Sequence, residues 1–151
     1  MVSVLIVEDN DFFRRSFKEI LRMYIPSLSV AESSDGSDVF AQMSRTLPDM
    51  IFMDMRLPGK SGLELSREIK ARYPEVAISI FTSYDYPEYR KIAKECGADH
   101  YLLKDALTGA EIAAMVKEQV NAKQKKMGKS ERKKGLRQTT KERPDQEGRR
   151  T

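Results

Sequence analysis

Residues 51–59 read IFMDMRLPG, and the pattern of this stretch indicates the fold class. An apolar run beginning at Met50 ends at a carboxylate, Asp54, and Pro58 with Gly59 then turns the chain. A short continuous apolar run is typical of a strand buried on both faces of a parallel sheet. A carboxylate at the end of such a strand is costly unless something pairs with it. The stretch therefore predicts a central strand, and Asp54 either caps that strand or reacts.

Four more apolar runs along the chain predict strands, and each of the five strands is followed by a segment of helical period. These four runs are Val4–Val7, Leu28–Val30, Val76–Thr82 and Tyr101–Leu103. The second helical stripe extends to Leu47 and the fourth includes Ile92, while Thr108 and Glu111 have the spacing of a capping box that starts the fifth helix. Five β-then-α units predict a doubly wound five-stranded parallel sheet, a flavodoxin-like (βα)5 three-layer sandwich.

The charge is distributed unevenly over the 151 residues. Residues 1–120 carry 15 Lys and Arg against 19 Asp and Glu, a net −4, whereas residues 121–151 carry 12 against 4, a net +8. The second segment has few apolar residues and several Gly and Pro, so it cannot offset the entropy of ordering. We therefore predict a folded domain over 1–120 and a basic, disordered tail or linker remnant over 121–151.

Neither a signal peptide nor a membrane span is indicated by the sequence. The N-terminus lacks a basic region before its apolar run, and no segment approaches the roughly 18 apolar residues of a membrane helix. The single cysteine, Cys96, permits no internal disulfide, which favours a reducing compartment. A cytoplasmic protein is expected.

Polar side chains stand where the predicted strands end. Functional sites of open α/β sheets form outside the carboxyl ends of the strands, so these side chains should converge. They are Glu8 and Asp9 after the first strand, Asp54 after the third, Thr82 after the fourth and Lys104 after the fifth. Three carboxylates in one cleft favour a hard cation such as Mg²⁺, and a lysine can neutralise an aspartate or a phosphoryl oxygen. The set predicts a phosphoryl-accepting aspartate, since such transfer depends mainly on positioning and charge neutralisation.

Four segments of the chain resemble the receiver domain of two-component response regulators over roughly residues 1–120. They are VLIVEDN (4–10), IFMDMRLPGKSGLEL (51–65), IFTSYD (80–85) and GADHYLLKDALTGAEI (97–112). The resemblance implies a non-enzymatic signalling switch that catalyses only its own phosphorylation and dephosphorylation. Its phosphoryl donor would be a sensor histidine kinase or a histidine phosphotransfer protein, its output a changed protein-binding face, and its cofactor Mg²⁺.

The same resemblance assigns a role to each matching position. Asp54 becomes the phosphoacceptor, and Lys104 the lysine that contacts the phosphoryl group. Thr82 becomes the switch hydroxyl and Tyr101 the switch aromatic, which turns inward after phosphorylation. The implied metal ligands are Glu8, Asp9, Asp54 and the backbone carbonyl of Arg56.

Two departures from the family pattern affect the expected output. Asp105 follows Lys104 where proline is usual, and YLLKD resembles the branch whose receivers precede LuxR-type DNA-binding domains. Residues 121–151 show no amphipathic helices, so no such domain is predicted there, and the chain is expected to be single-domain or to lack its effector. Arg56 and Tyr84, at variable positions flanking the acceptor, are bulky and are predicted to slow loss of the phosphoryl group.

Other functions remain open at this point. A haloacid-dehalogenase-like phosphohydrolase would need a second acid two residues after the nucleophile, where Arg56 stands. A flavodoxin-like cofactor binder would need a Gly-rich loop after the first strand, where Glu8 and Asp9 stand. A receiver that regulates binding of nucleic acid or an acidic partner through its basic tail is the principal alternative, although no aromatic residues are interleaved with those charges. A homodimer is also compatible with the sequence.

Overall fold

The computed structural model describes residues 2–125, and its centre is one parallel sheet. The strands follow the order β2-β1-β3-β4-β5. Their bounds are β1 Ser3–Val7, β2 Ser29–Ser33, β3 Met50–Asp54, β4 Ala77–Thr82 and β5 His100–Leu103. The helices between them are α1 Asp11–Tyr24, α2 Val39–Arg45, α3 Gly62–Arg72 and α4 Pro87–Glu95. The doubly wound fold predicted from the alternating pattern is confirmed.

The chain divides into two units, Met1–Lys117 and Glu118–Thr151. In the first unit a fifth helix, α5, follows β5 and covers residues 109–117. In the second unit residues 118–125 are helical. Helical structure therefore includes residues 121–125, which the sequence had placed in the tail. Most of that predicted tail, residues 126–151, lies outside the described residues, and its proposed disorder and binding role stay predictions.

Local side-chain chemistry sets where the helices begin. The Asn10 side chain accepts a hydrogen bond from the Phe13 amide at 2.9 Å, and Ser61 caps α3 by accepting from the Glu64 amide at 3.2 Å. The Glu111 amide donates to the Thr108 hydroxyl at 3.2 Å, in agreement with the capping box expected there. These caps fix the loops at the carboxyl end of the sheet, where the polar residues of interest lie.

The two faces of the sheet are packed differently. On one face, aliphatic residues of the strands pack against α2, α3 and α4 around Met43, Leu65 and Ile69. On the other face, α1 contributes aromatic rings that pack on rings of the strands. Phe17 lies 4.9 Å from Phe52 between ring centroids and 5.4 Å from Phe81. Both faces of β3 and β4 are therefore covered, and every residue of these two strands is buried.

Some predicted boundaries were wrong. The second strand was predicted at Leu28–Val30, but β2 runs to Ser33 because it pairs with β1 along its whole length. Leu47 is 46% exposed, since α2 ends at Arg45, and Ile92 is 40% exposed because α4 buries only Ala93. In the part of the chain that the structure describes, no helix has the length and apolar character needed to span a membrane.

Candidate functional site

The register of the sheet brings the predicted residues to one edge. In β3, Met53 pairs with Val7 of β1 and Asp54 pairs with Phe81 of β4. The strands β1, β3 and β4 therefore end side by side. Thr82 in turn pairs with Leu103 of β5. As a result, Glu8, Asp54, Thr82 and Lys104 all lie at or directly after neighbouring strand ends.

Three carboxylates form a compact acidic cluster at this edge. One carboxylate oxygen from each of Glu8, Asp9 and Asp54 lies within 4.8 Å of the other two. Glu8 is fully buried and Asp54 is only 6% exposed, whereas Asp9 is exposed to solvent. The cluster is thus open on the Asp9 side and closed on the side of the sheet, so a ligand can approach from solvent.

Lys104 supplies the positive charge of the site. Its Nζ lies 2.9 Å from Glu8 Oε2 and 3.5 Å from Asp54 Oδ2. The same Nζ stands 4.6 Å from the ring centroid of Phe13 and 5.4 Å from that of Phe81. Cation–π attraction and ion pairing together hold the ammonium group beside the two buried carboxylates. Lys104 therefore bridges Glu8 and Asp54.

The oxygens of Glu8 show that the site suits a cation. Oε1 accepts a hydrogen bond from the Asn10 amide at 3.0 Å. Oε2 is buried without a hydrogen-bond partner, because Lys104 is close to it but does not meet hydrogen-bonding geometry. A buried carboxylate oxygen lacking a hydrogen bond, next to two more carboxylates, is suited to a hard divalent ion. The residues present therefore fit Mg²⁺.

Burial and charge repulsion make Asp54 a weak acid. Burial, together with the neighbouring Glu8 carboxylate, raises the pKa of Asp54 from 3.8 to about 7, against the opposing effect of Lys104. The Arg56 amide also donates to Asp54 Oδ1, at 3.4 Å. One more positive charge in the cluster would relieve the repulsion and favour the ionised carboxylate.

Gly62 is a residue of this site that the sequence did not single out. The start of α3 approaches β3 so closely that a Cβ atom added to Gly62 would overlap the Asp54 carbonyl oxygen. The Gly62 amide also donates to the Met55 carbonyl at 2.9 Å. The absence of a side chain at position 62 therefore sets the backbone path that carries Asp54. A glycine at the first position of a helix was the only signal in the sequence.

Thr82 and Tyr101 are linked through the β4–α4 loop. The Tyr84 amide donates to the Thr82 hydroxyl at 3.2 Å, and the Tyr101 hydroxyl donates to the Tyr84 carbonyl at 2.6 Å. Thr82 is buried and Tyr101 is partly buried, packed on the aliphatic core. The Arg90 guanidinium lies over the Tyr101 ring at 4.8 Å. One residue, Tyr84, therefore contacts both predicted switch positions through its backbone.

The two bulky residues beside the acceptor contact each other. The Arg56 guanidinium carbon lies 4.2 Å from the ring centroid of Tyr84, within cation–π range. The Tyr84 ring also neighbours Tyr86 and Tyr89, with centroids 6.4 and 6.5 Å away. Arg56 follows β3 and Tyr84 follows β4, so their stack joins the ends of the two central strands. The sequence placed both residues beside the acceptor but did not predict this contact.

Together, the doubly wound sheet and its acidic edge define an α/β domain with carboxylates gathered at the strand ends. The family model described as "Response regulator receiver domain" matches residues 4–117. The chain therefore belongs to the response regulator receiver domain family, as the resemblance of its four segments predicted.

Individual relatives agree with this assignment. The chain is 32% identical over 114 residues to "Transcriptional regulatory protein DegU" of Brevibacillus brevis, covering 76% of this chain and 48% of that protein. It is 33% identical over 118 residues to "DNA-binding transcriptional activator DevR/DosR" of Mycobacterium tuberculosis, covering 78% and 54%. The chain thus spans about half the length of these relatives.

Solved structures show the same fold. A CheY-like response regulator receiver domain protein from Methanospirillum hungatei superimposes with a TM-score of 0.75. The match covers 83% of this chain and 98% of that one at 22% identity. At this identity the likeness concerns the fold alone. Membership of the family implies phosphorylation-dependent signalling.

Proposed function

We propose that this chain is a signalling switch that accepts a phosphoryl group on Asp54 in the presence of Mg²⁺. The observation that carries the proposal is the buried Asp54 carboxylate between the Glu8 and Asp9 carboxylates and the Lys104 ammonium. The phosphoryl donor would be a phosphohistidine on a sensor kinase or a phosphotransfer protein. The proposal includes a receiver spanning 1–120, a separate basic segment over 121–151, and a cytoplasmic location.

The proposed chemistry assigns a task to each side chain. An Asp54 carboxylate oxygen attacks phosphorus, a P–O bond forms, and the P–N bond to the donor imidazole breaks as that nitrogen leaves. Mg²⁺, when bound by Glu8, Asp9, Asp54 and the Arg56 carbonyl, supplies positive charge against the phosphoryl oxygens. Lys104 pairs with a phosphoryl oxygen, since its ammonium already contacts Asp54. Thr82 donates its hydroxyl to another phosphoryl oxygen.

The test of the acceptor uses the purified full chain, Mg²⁺ and acetyl phosphate. Wild type is expected to gain one phosphate by intact mass, and Asp54→Asn is expected to gain none because an amide cannot accept the group. Asp105→Asn is the matched control, since Asp105 is an exposed aspartate beside Lys104 and should leave the yield unchanged. Equal adducts on wild type and Asp54→Asn would disprove the assignment of Asp54.

The output of the switch would be a changed protein-binding face near Tyr101. When Thr82 turns toward the phosphoryl group, its hydroxyl would no longer accept the hydrogen bond from the Tyr84 amide. The backbone of Tyr84 would then move, and with it the carbonyl that accepts the hydrogen bond from the Tyr101 hydroxyl. Tyr101 also lines a cavity of about 330 Å³ between α4 and β5. A downstream protein, or a second copy of the chain, would bind this face in one state and not in the other.

We further propose that the Arg56–Tyr84 stack prolongs the phosphorylated state. The two side chains lie beside the acceptor and the switch hydroxyl, where an attacking water would have to enter. Arg56→Asn and Tyr84→Ala are each expected to shorten the half-life of the phosphoprotein several-fold. Decay of the phosphate adduct after removal of donor measures this effect. Unchanged dephosphorylation rates in both variants would show that the stack does not prolong the phosphorylated state.

A further inference from the structure

Arg14 is a partly buried cation of α1 that donates to the backbone of Glu8 and to two carboxylates. Its side chain is 12% exposed. The guanidinium donates from Nη1 to the Glu8 carbonyl at 2.7 Å, from Nη2 to Asp11 Oδ1 at 2.5 Å and from Nε to Glu32 Oε1 at 3.3 Å. A planar fork that serves three acceptors at once holds its donors in fixed directions.

The acceptors of Arg14 are themselves held in place. Glu32 lies on β2, and its second carboxylate oxygen is 2.9 Å from Lys18 Nζ. Asp11 is in the first turn of α1, three residues before Arg14. The guanidinium is therefore held by residues of β2 and α1, and it also contacts the residue that follows β1. A cation fixed from two elements can define the position of a third.

Hydrogen bonds to the amide and the carbonyl of Glu8 fix the backbone that leads to Asp9. The Glu8 amide donates to the Ser33 carbonyl at 3.0 Å, and the Glu8 carbonyl accepts from Arg14. The orientation of that carbonyl sets the plane of the following peptide, and so the direction in which the Asp9 side chain leaves the backbone. Asp9 is exposed, so its carboxylate depends on this backbone for its place in the acidic cluster.

We propose that Arg14 is a positioning residue of the divalent-cation site and sets the Glu8–Asp9 carboxylate pair for metal binding. The inference rests on the proposed Mg²⁺-dependent function and adds a residue to it. Arg14 acts through the Glu8 carbonyl and does not itself touch the metal or the phosphoryl group. The sequence predicted the carboxylates of the site but not Arg14. No residue near Arg14 in the chain indicates that its side chain contacts the backbone after β1.

The Mg²⁺ affinity of a variant without Arg14 distinguishes a positioning role from simple electrostatics, because the two predict changes of opposite sign. Coulomb repulsion alone predicts that removal of a nearby cation would tighten Mg²⁺ binding. Loss of positioning predicts the opposite, since the carboxylate pair would no longer be held at metal-binding spacing. For Arg14→Gln we expect a Kd for Mg²⁺ about tenfold higher than wild type, a size typical of the loss of an outer partner of metal ligands.

The experiment is calorimetric titration of the full chain with MgCl2 at low ionic strength. Lys18→Gln is the matched control, because it removes a neighbouring cation of α1 but leaves all three hydrogen bonds of Arg14, and its Kd should stay within twofold of that of wild type. Arg14→Lys keeps the positive charge but loses the planar fork, so its Kd should be intermediate. It also provides the test if Arg14→Gln does not fold. Thermal unfolding in EDTA measures separately how much each substitution changes the stability of the metal-free fold.

The outcomes distinguish this inference from the function on which it rests. If wild type binds Mg²⁺ and both Arg14 variants bind it within twofold of wild type, or more tightly, the positioning role is wrong and the proposed function stands. If wild type itself binds no Mg²⁺, the proposed function and the role of Arg14 both fail.

Discussion

Replacing Gly62 with alanine is expected to lower the free energy of unfolding by about 3 kcal/mol, the upper part of the usual range for overpacking. The added methyl group would overlap the Asp54 carbonyl oxygen and press on Met53, and a backbone carbonyl cannot rotate away as a side chain can. Relief requires the start of α3 to move away from β3, which breaks the hydrogen bond from the Gly62 amide to Met55. Urea unfolding in EDTA measures the change.

Gly59→Ala is the control for this substitution. Nothing lies within 4 Å of a Cβ at position 59, but its φ of +80° is left-handed, so alanine there costs about 1 kcal/mol from backbone strain alone. Gly62→Ala should therefore be clearly the more destabilising of the two. Moreover, it should slow phosphorylation under conditions where it is still folded, because the displaced carbonyl belongs to Asp54 itself. Equal stabilities of the two variants would show that α3 accommodates the methyl group.

Asp54→Asn is expected to raise the free energy of unfolding of the metal-free protein, and the increase should depend on pH. The pKa of Asp54 is about 7 in the folded protein against 3.8 as its ordinary value, so the folded state keeps a proton that the unfolded chain has lost. Wild type therefore loses stability as pH rises from about 4 through 7. Asn does not titrate and avoids this loss. Each pKa unit corresponds to about 1.4 kcal/mol, so we expect Asp54→Asn to be more stable by up to about 4 kcal/mol at pH 8 and nearly equal to wild type at pH 4.

Urea unfolding of both proteins in EDTA at several pH values measures this difference, because the titration of groups that do not interact with Asp54 cancels. Addition of Mg²⁺ at pH 8 should then stabilise wild type more than Asp54→Asn, since only wild type keeps all three carboxylates for the ion. A stability difference that is the same at pH 4 and pH 8 would mean that Asp54 is not held as a weak acid.

The strand-end residues of the site could be predicted from the sequence because two simple rules determine their placement. Buried parallel strands appear as continuous apolar runs, as residues 50–53 show. Sites of such sheets form at the carboxyl ends of the strands. The register places the ends of β1, β3 and β4 together, so residues as distant in sequence as Glu8 and Lys104 meet.

Features that depend on exact distances between elements could not be predicted. The overlap at Gly62 depends on how closely α3 approaches β3, and the fork of Arg14 depends on the angle at which α1 crosses the end of β1. The stack of Arg56 on Tyr84 depends on rotamers in two loops. The full extent of β2 was missed for a related reason. Only pairing with β1, and no local apolar pattern, extends that strand to Ser33.

The most direct measurement is the identity of the residue that carries the phosphoryl group. Wild type is phosphorylated with acetyl phosphate and Mg²⁺, the acyl phosphate is reduced with borohydride, and the digested protein is sequenced by mass spectrometry. Reduction converts a phosphorylated aspartate to homoserine. Homoserine at position 54 is the predicted result. Homoserine at Asp9 or at any other aspartate, with position 54 unchanged, would contradict the role assigned to Asp54.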